Sequence, residues 1–266
     1  MKATRAIRII TSLSLGVVVL ASVSWLGLGH VSGKIARISV FAGLDNRPEK
    51  TSKALNYLLV GSDTREGLTK EQMKALRVGS TKTAAGGRSD TMLLVHISKA
   101  RDKAYLVSLP RDTLVTIPAH TSTDGKSQIP DRQNKLNAAF AFGGAPLLIQ
   151  TVEGATNLKI DHYIEVSFAG FAGIVDALGG VDVCTKVDID DPKSHLVLAA
   201  GTHTLGGIEA LKYVRTRDFD GRGDIGRMER QQQFVNAVAR KAWSLIQTNS
   251  LKPLQYVGRC PLHLQC

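Results

Sequence analysis

Residues Ile9 to Leu28 form an uncharged, mostly apolar run of 20 residues. As a helix this run is about 30 Å long, the thickness of a bilayer's hydrocarbon core. It is therefore read as a transmembrane signal-anchor. Lys2, Arg5 and Arg8 precede it with no acidic residue nearby, and the positive-inside tendency places residues 1–8 in the cytoplasm and everything after the span outside. The competing reading is a cleaved signal peptide. That would have a shorter apolar core and a small-x-small cleavage site, for which only weak candidates such as Val31-Ser32-Gly33 follow.

A span so close to the start leaves most of the 266 residues for one extracytoplasmic domain with a substantial core. The net charge is +11, of which the first eight residues hold only 3, leaving +8 on the remainder. An exported basic domain meets anionic lipids, phosphorylated glycans and wall polymers before nucleic acid. Three cysteines, Cys184, Cys260 and Cys266, have no metal-ligand spacing and allow at most one bridge.

Residues 29–54 carry Gly43, Pro48 and scattered charges without periodicity, and are read as a stalk. The domain is expected over residues 55–247. Leu55 to Val60, Thr91 to Ser98 and Ala104 to Leu109 are short apolar runs bounded by turn or charged residues, hence three neighbouring strands of a central sheet. Lys99 to Lys103 is short enough for an antiparallel hairpin, whereas a long Gly-rich insertion separates the first two strands, so the sheet is mixed. Helical patterns cover Lys135 to Phe142 and Pro146 to Thr156, parted by Gly143-Gly144, then Phe168 to Leu178 and Met228 to Ile246. Val181 to Ile189 alternates as one half-exposed strand, with Val187 on the inward face.

The chemistry-bearing residues cluster where strands end. Leu58-Leu59-Val60 runs into Gly61-Ser62-Asp63-Thr64-Arg65, and Arg88-Ser89-Asp90 opens the second strand. Two carboxylates converging on one point repel unless a cation neutralises them, and oxygen ligands beside phosphate suit Mg²⁺, with Mn²⁺ as the alternative. Leu109-Pro110-Arg111-Asp112 ends the third strand in a rigid turn able to aim a guanidinium at the same place. Tyr213 to Gln233 holds arginines at 215, 217, 222, 227 and 230, a set able to grip phosphates bidentately. Asp218, Asp220, Asp224 and Glu229 nearly cancel that charge, so a solvated charged segment is the ordinary alternative.

Taken in order, the segments NYLLVGSDTR, GRSDTMLLVHI, VSLPRDT, NKLNAAFAFGG, DHYIEVSFAGFAGIVDALGGVDV, the G-x-H-x-L-G-G-x-x-A-L-x-Y-V-R-T-R block and GDIGRMERQQ resemble the LytR-CpsA-Psr family of wall-polymer ligases. The resemblance runs from Leu55 to Ala239. It implies an α/β fold, an α-β-α sandwich with a mixed central sheet, that transfers a phosphate-linked glycan from a polyprenyl-pyrophosphate carrier to a peptidoglycan sugar hydroxyl. It implies Mg²⁺ on Asp63 and Asp90, and Arg65, Arg88, Arg111, Arg215, Arg217 and Arg227 around the pyrophosphate, with Gln231 and Lys135 completing the ring. Asp63, Asp90 and Arg111 are the implied catalytic groups. Ile164, Val166, Phe168, Phe171, Ile174 and Leu178 are the implied lipid-pocket residues, although apolar helical positions serve equally as simple core.

Two features depart from the family pattern. A cysteine in the V-D-V-C strand is often matched by one just after a later Ala-Gly, but here Gly201 is followed by Thr202-His203, so Cys184 is expected to be unpaired. Residues 248–266 lack the periodicity with which the family continues, and are read as an atypical, truncated or altered tail. Two further readings stay open: a membrane regulator that binds polyprenyl phosphate without turnover, and a lipid pyrophosphatase. The chain has no G-x-S-x-G elbow, no P-loop ending and no helix-turn-helix, so serine hydrolase, NTPase and DNA-binding roles have no support.

Overall fold

Burial on both faces selects the apolar runs that become the central sheet. In the computed structural model, residues 38–78, 89–217 and 219–249 are described. The apolar run 9–28 and the tail from residue 250 lie outside the described residues. The chain divides into two compact units, Met1–Ala42 and Gly43–Cys266; residues 38–42 are the described part of the first. Among the described residues, no helix is long and apolar enough to cross a membrane.

The three expected strands are present as β1 (Leu55–Ser62), β2 (Ser89–Ile97) and β3 (Ala104–Ser108). They form a four-stranded sheet of order β3-β2-β1-β8, with β8 spanning His162–Val166. β2 runs antiparallel to β1 and β3, and β8 runs parallel to β1, so the sheet is mixed as expected. Leu58, Val60, Met92 and Leu94 alternate as buried residues on one face. Leu59, Gly61, Thr91 and Leu93 alternate onto the other, where they wall a cavity.

β4 (Leu114–Ile117) pairs with β7 (Arg132–Lys135), and β5 (His120–Thr121) with β6 (Gln128–Ile129), as short antiparallel ribbons. The polar sequence of β7, RQNK, and the two-residue length of β5 and β6 hide these ribbons from pattern reading. A short helix, α1 (Lys70–Ala75), starts at a capping box in which Gln72 N donates to Thr69 Oγ1 and Thr69 N to Gln72 Oε1.

Helix α2 (Leu136–Thr156) packs on β2 and is broken where the sequence indicates: Gly143 and Gly144 are non-helical, and Gly144 has φ +62°. A Cβ on Gly143 would lie 2.6 Å from Leu147 Cβ. Near the C-terminal end of α2, Glu153 is buried, holds Arg47 through two bonds of 3.0 and 2.7 Å, and accepts Ile160 N at 2.7 Å. Lys50 pairs with Asp161. Residues 47 and 50 of the expected stalk are thus docked on the domain.

The opposite face carries α3 (Phe168–Ala177), α4 (Gly207–Arg215) and α5 (Gly223–Asn249). Helix α5 packs on β3 and on β9 (Val181–Thr185). Ser167 caps α3 by accepting Gly170 N, and Asp176 accepts Gly207 N at 2.7 Å, pinning the start of α4 to the end of α3. α3 and α4 touch at Gly207, where a Cβ would lie 2.4 Å from Ala172 O. A second core lies under these helices, around Val175, Val181, Leu205, Leu211, Tyr213 and Phe234.

The expected single strand over residues 181–189 is corrected. β9 ends at Thr185, whose hydroxyl donates to Val187 O at 2.7 Å and closes a bend, leaving Val187 exposed. The chain resumes as β10 (Ile189–Asp191), which pairs with β11 (Leu196–Leu198), while β12 (Gly201–Leu205) pairs back onto β9. That ladder puts Thr202 directly opposite Cys184. Cys184 is nevertheless disulfide-bonded, which corrects the expectation of an unpaired sulfur.

Candidate functional site

The C-terminal end of β1 and the start of β2 meet at a β-bulge. Gly61 pairs with Thr91 and Ser62 with Ser89, so Asp90 is the extra residue of the bulge and lies on the backbone beside the turn that carries Asp63. Bulges re-aim side chains next to functional sites. Asp63 is half-buried in that turn, where Ser62 Oγ and Thr64 Oγ1 lie 3.0 Å apart. Arg88 and the side chain of Asp90 lie outside the described residues. The described part of this turn offers oxygen donors only, the Asp63 carboxylate and the Ser62 and Thr64 hydroxyls, the ligand type that a hard divalent cation takes.

Next to this end, the sheet face and α3, α4 and α5 enclose a cavity of about 310 Å³. Its apolar wall includes Leu59, Val166, Phe168, Phe171, Leu211 and Phe234, and its polar end carries Arg111, Arg215, Arg217, Arg227 and Gln231. Four of the six arginines expected around a phosphate therefore converge at one end of an apolar cavity. Arg65 and Lys135 do not line it: Arg65 sits in the turn after Asp63, and the exposed Lys135 Nζ pairs with Asp112 at 2.8 Å.

Each arginine is held by identifiable contacts. The Arg215 guanidinium lies 5.1 Å over the Phe168 ring, a cation–π contact at the seam between the two walls. Asp224 gathers three more, at 3.3 Å from Arg217, 3.4 Å from Arg227 and 3.9 Å from Arg111. Arg227 is only 5% exposed, and among the described residues its Nε finds no acceptor. A phosphate oxygen entering the cavity would supply one. The Lys135 bond to Asp112, reinforced by the charge of Arg111, holds the Asp112 carboxyl below the usual carboxylate range.

Arg222 and Arg230 serve structure instead. Buried Arg230 donates to Asp220 and to Thr216 O, both at 2.7 Å, and packs over Phe219, fixing the turn that presents Arg217. Burial raises the proton affinity of Asp220, but bonds from Arg222 N and Arg230 outweigh it and the carboxyl is held low. Arg222 bridges Asp220 and Glu229 at the surface. Gln231 donates to Thr91 Oγ1 at 2.8 Å and to Val214 O at 3.2 Å, tying β2 to α4 behind the arginines.

Of the residues expected in a lipid pocket, Val166, Phe168 and Phe171 line the cavity. Ile164, Ile174 and Leu178 do not. Helical phase places Ile174 on the outer face of α3 at 48% exposure, Leu178 packs against the second core, and Ile164 is 43% exposed on β8. Sequence reasoning overlooked Leu211, just before the arginine-rich segment, and Val214 within it. It also overlooked Lys193, which reaches the cavity from the β10–β11 turn. That turn is anchored by Asp191, 1% exposed, which accepts Lys193 N at 2.8 Å, Ser194 N at 2.9 Å and also Arg217 N. The only signal for it was Asp191-Pro192 after a strand.

Comparison with known proteins fits this arrangement. The family model described as LytR_cpsA_psr matches residues 32–254. A probable cell wall biosynthesis protein, LcpB of Corynebacterium glutamicum, is 41% identical over 189 residues, covering 71% of this chain and 42% of the relative. The polyisoprenyl-teichoic acid–peptidoglycan teichoic acid transferase TagU of Bacillus cereus is 42% identical over 155 residues, covering 58% of this chain and 47% of that protein. The chain thus spans less than half the length of these two curated relatives. Among solved structures, the LytR-CPS2A-psr family protein YwtF (TagT) with bound octaprenyl pyrophosphate lipid superposes with a TM-score of 0.53 at 28% identity, over 79% of this chain and 70% of that one.

Proposed function

The chain belongs to the LytR-CpsA-Psr family, and from that premise we propose that it transfers a phosphate-linked glycan from a polyprenyl-pyrophosphate carrier to a peptidoglycan sugar hydroxyl, forming a phosphodiester bond. One observation carries the reading: Arg111, Arg215, Arg217 and Arg227 converge at the polar end of a cavity whose other walls are aliphatic and aromatic. A ligand matching both ends has a long apolar tail and a multiply charged head, which describes a polyprenyl pyrophosphate. The lipid in the TagT structure has the same chemistry, and the name of TagU describes the same transfer. The protein acts at the outer surface of the membrane, held there by residues 9–28, with the donor lipid, the peptidoglycan acceptor and the membrane as its partners and no nucleic acid.

The residues account for the chemistry as follows. Phe168, Phe171, Leu211 and Phe234 take the tail, so the pyrophosphate stops at the arginines. The acceptor oxygen bonds to the glycan-side phosphorus while the bond to the bridging oxygen breaks, and polyprenyl phosphate leaves. Arg215 and Arg217, together with Arg111 and Arg227, stabilise charge on the transferring and departing oxygens, which preorganised guanidiniums do without reorganisation. Asp63 and Asp90 would hold Mg²⁺, or Mn²⁺ in its place. The cation would add Lewis-acid neutralisation of phosphate charge. Asp112, held low by Lys135 and Arg111, is a weak base.

The test uses the full chain with a polyprenyl-pyrophosphate oligosaccharide, peptidoglycan and Mg²⁺, following polyprenyl phosphate release and acceptor mass. Release with a phosphoglycan added to the acceptor, absent in Arg215→Ala and with Mg²⁺ chelated, is the expected result. Release without acceptor gain would instead establish the pyrophosphatase, and lipid binding without release the non-catalytic carrier-binding regulator.

A further inference from the structure

A second cavity, of about 270 Å³, adjoins the first and shares Thr91, Arg111, Arg227 and Gln231 with it. The two lie side by side across the end of the sheet. The first covers β1, β8 and part of β2, through Leu59, Gly61, Val166, Thr91 and Leu93. The second sits over β2 and β3, through Met92, Ser108 and Leu109, and is closed by Pro110, Asp112 and the first turns of α5. Arg111 and Arg227 belong to the walls of both.

We infer that this second cavity is the subsite for the acceptor sugar. The inference rests on the transfer reading above, and in-line geometry gives the reason. An oxygen that displaces polyprenyl phosphate must approach phosphorus from the side opposite the leaving oxygen. With the lipid tail in the first cavity and its pyrophosphate at the arginines, the second cavity, which shares Arg111 and Arg227 with the first, is the adjoining space from which that approach can come. The donor's own glycan lies roughly perpendicular to this line and leaves toward solvent.

The walls match a sugar. Leu109, Pro110, Ile225 and Met228 form an apolar surface suited to the C–H face of a pyranose or to an N-acetyl methyl group. Ser108, whose Oγ accepts from Gln232 Nε2 at 2.8 Å and keeps its O–H to donate, and Asp112, paired with Lys135 at 2.8 Å and with Arg111 at 3.3 Å but still with lone pairs to accept, stand beside them for sugar hydroxyls. Ile225 is 63% exposed in a segment otherwise rich in charge, and its place on this wall gives that exposure a use.

The test titrates the full chain in detergent with two probes: polyprenyl pyrophosphate alone, and a short uncrosslinked peptidoglycan oligosaccharide added to the lipid-loaded protein. Ile225→Trp fills the rim of the second cavity and Ile225→Ala removes the wall; both change an exposed position, and circular dichroism verifies folding. Phe171→Trp fills the first cavity. The expected result is that both Ile225 variants weaken oligosaccharide binding by about tenfold and leave lipid affinity within about twofold, while Phe171→Trp does the reverse. Loss of lipid affinity in the Ile225 variants would overturn the assignment in favour of a donor-side cavity. Unchanged oligosaccharide affinity, or no oligosaccharide binding by a wild-type protein that binds lipid, would overturn it while leaving the donor site standing. Failure of the wild type to bind lipid would instead sink the transfer reading itself.

Discussion

Replacing Asp191 by alanine removes the acceptor of three backbone N–H groups, those of Lys193, Ser194 and Arg217. A hydrogen bond to a charged group contributes roughly 1.5–3 kcal/mol, and a buried donor left without an acceptor costs a comparable amount. Lys193 is exposed and Arg217 half-buried, so water rescues some of the loss, and the expected destabilisation is about 3–5 kcal/mol. With a urea m-value of about 2–3 kcal/mol/M, the unfolding midpoint falls by about 1–2.5 M. Asp191→Asn keeps one carbonyl oxygen and should lose about half as much. Because the same carboxylate fixes the backbone of Arg217, affinity for polyprenyl pyrophosphate should fall about tenfold in the alanine variant even under conditions where it is fully folded. The assay is urea unfolding followed by lipid titration of the folded protein. A midpoint shift corresponding to less than about 1 kcal/mol, or unchanged lipid affinity in a destabilised variant, would refute the idea that this turn sets the arginine's position.

Three further outcomes follow from the packing and the charges. Gly207→Ala forces apart the backbones of α3 and α4, because the added methyl carbon would lie only 2.4 Å from Ala172 O; it should cost about 1–3 kcal/mol and weaken lipid binding, read by thermal melting and titration. Arg47→Ala strands the 2%-exposed Glu153 and should cost about 3–5 kcal/mol, with partial recovery when Glu153→Gln is added, measured by urea unfolding. Asp220→Asn should destabilise by about 3 kcal/mol at neutral pH. Since the folded carboxyl is held below its unfolded value of about 3.9, that contribution is complete above about pH 4 and disappears as pH falls through the folded value. Unfolding midpoints of variant and wild type should therefore converge in acid, and a constant gap would contradict the assignment.

The sheet was legible because β1, β2 and β3 are apolar runs with clear ends, and because Gly143-Gly144 punctuates α2 where the backbone leaves helical geometry. Alternation misled at Val187, where a single Thr185 hydroxyl closes a bend that no periodicity records. Helix α4 was hidden by the glycines ahead of it, and the β4–β7 ribbon by the polar run Arg132–Lys135. Within the site, composition marked the arginines as a group and could not separate them: Arg227 faces the cavity, while Arg230, three residues on, locks a turn. Helical phase sorts Phe168 and Phe171 from Ile174, but only once the side on which α3 packs is known.

Asp224 touches three of the arginines that wall the cavity, so the resting site already holds a carboxylate of its own. On the transfer reading proposed above, an arriving head group would meet not bare cations but guanidiniums already paired, and would trade places with an internal counter-ion. In such an exchange a singly charged ligand gains little, since it merely replaces one negative charge with another. A head group with several negative charges close together can satisfy more guanidiniums at once than a single carboxylate can. Discrimination against the monoanionic lipids that crowd a membrane surface thereby follows from a residue of the same sign as the ligand it admits.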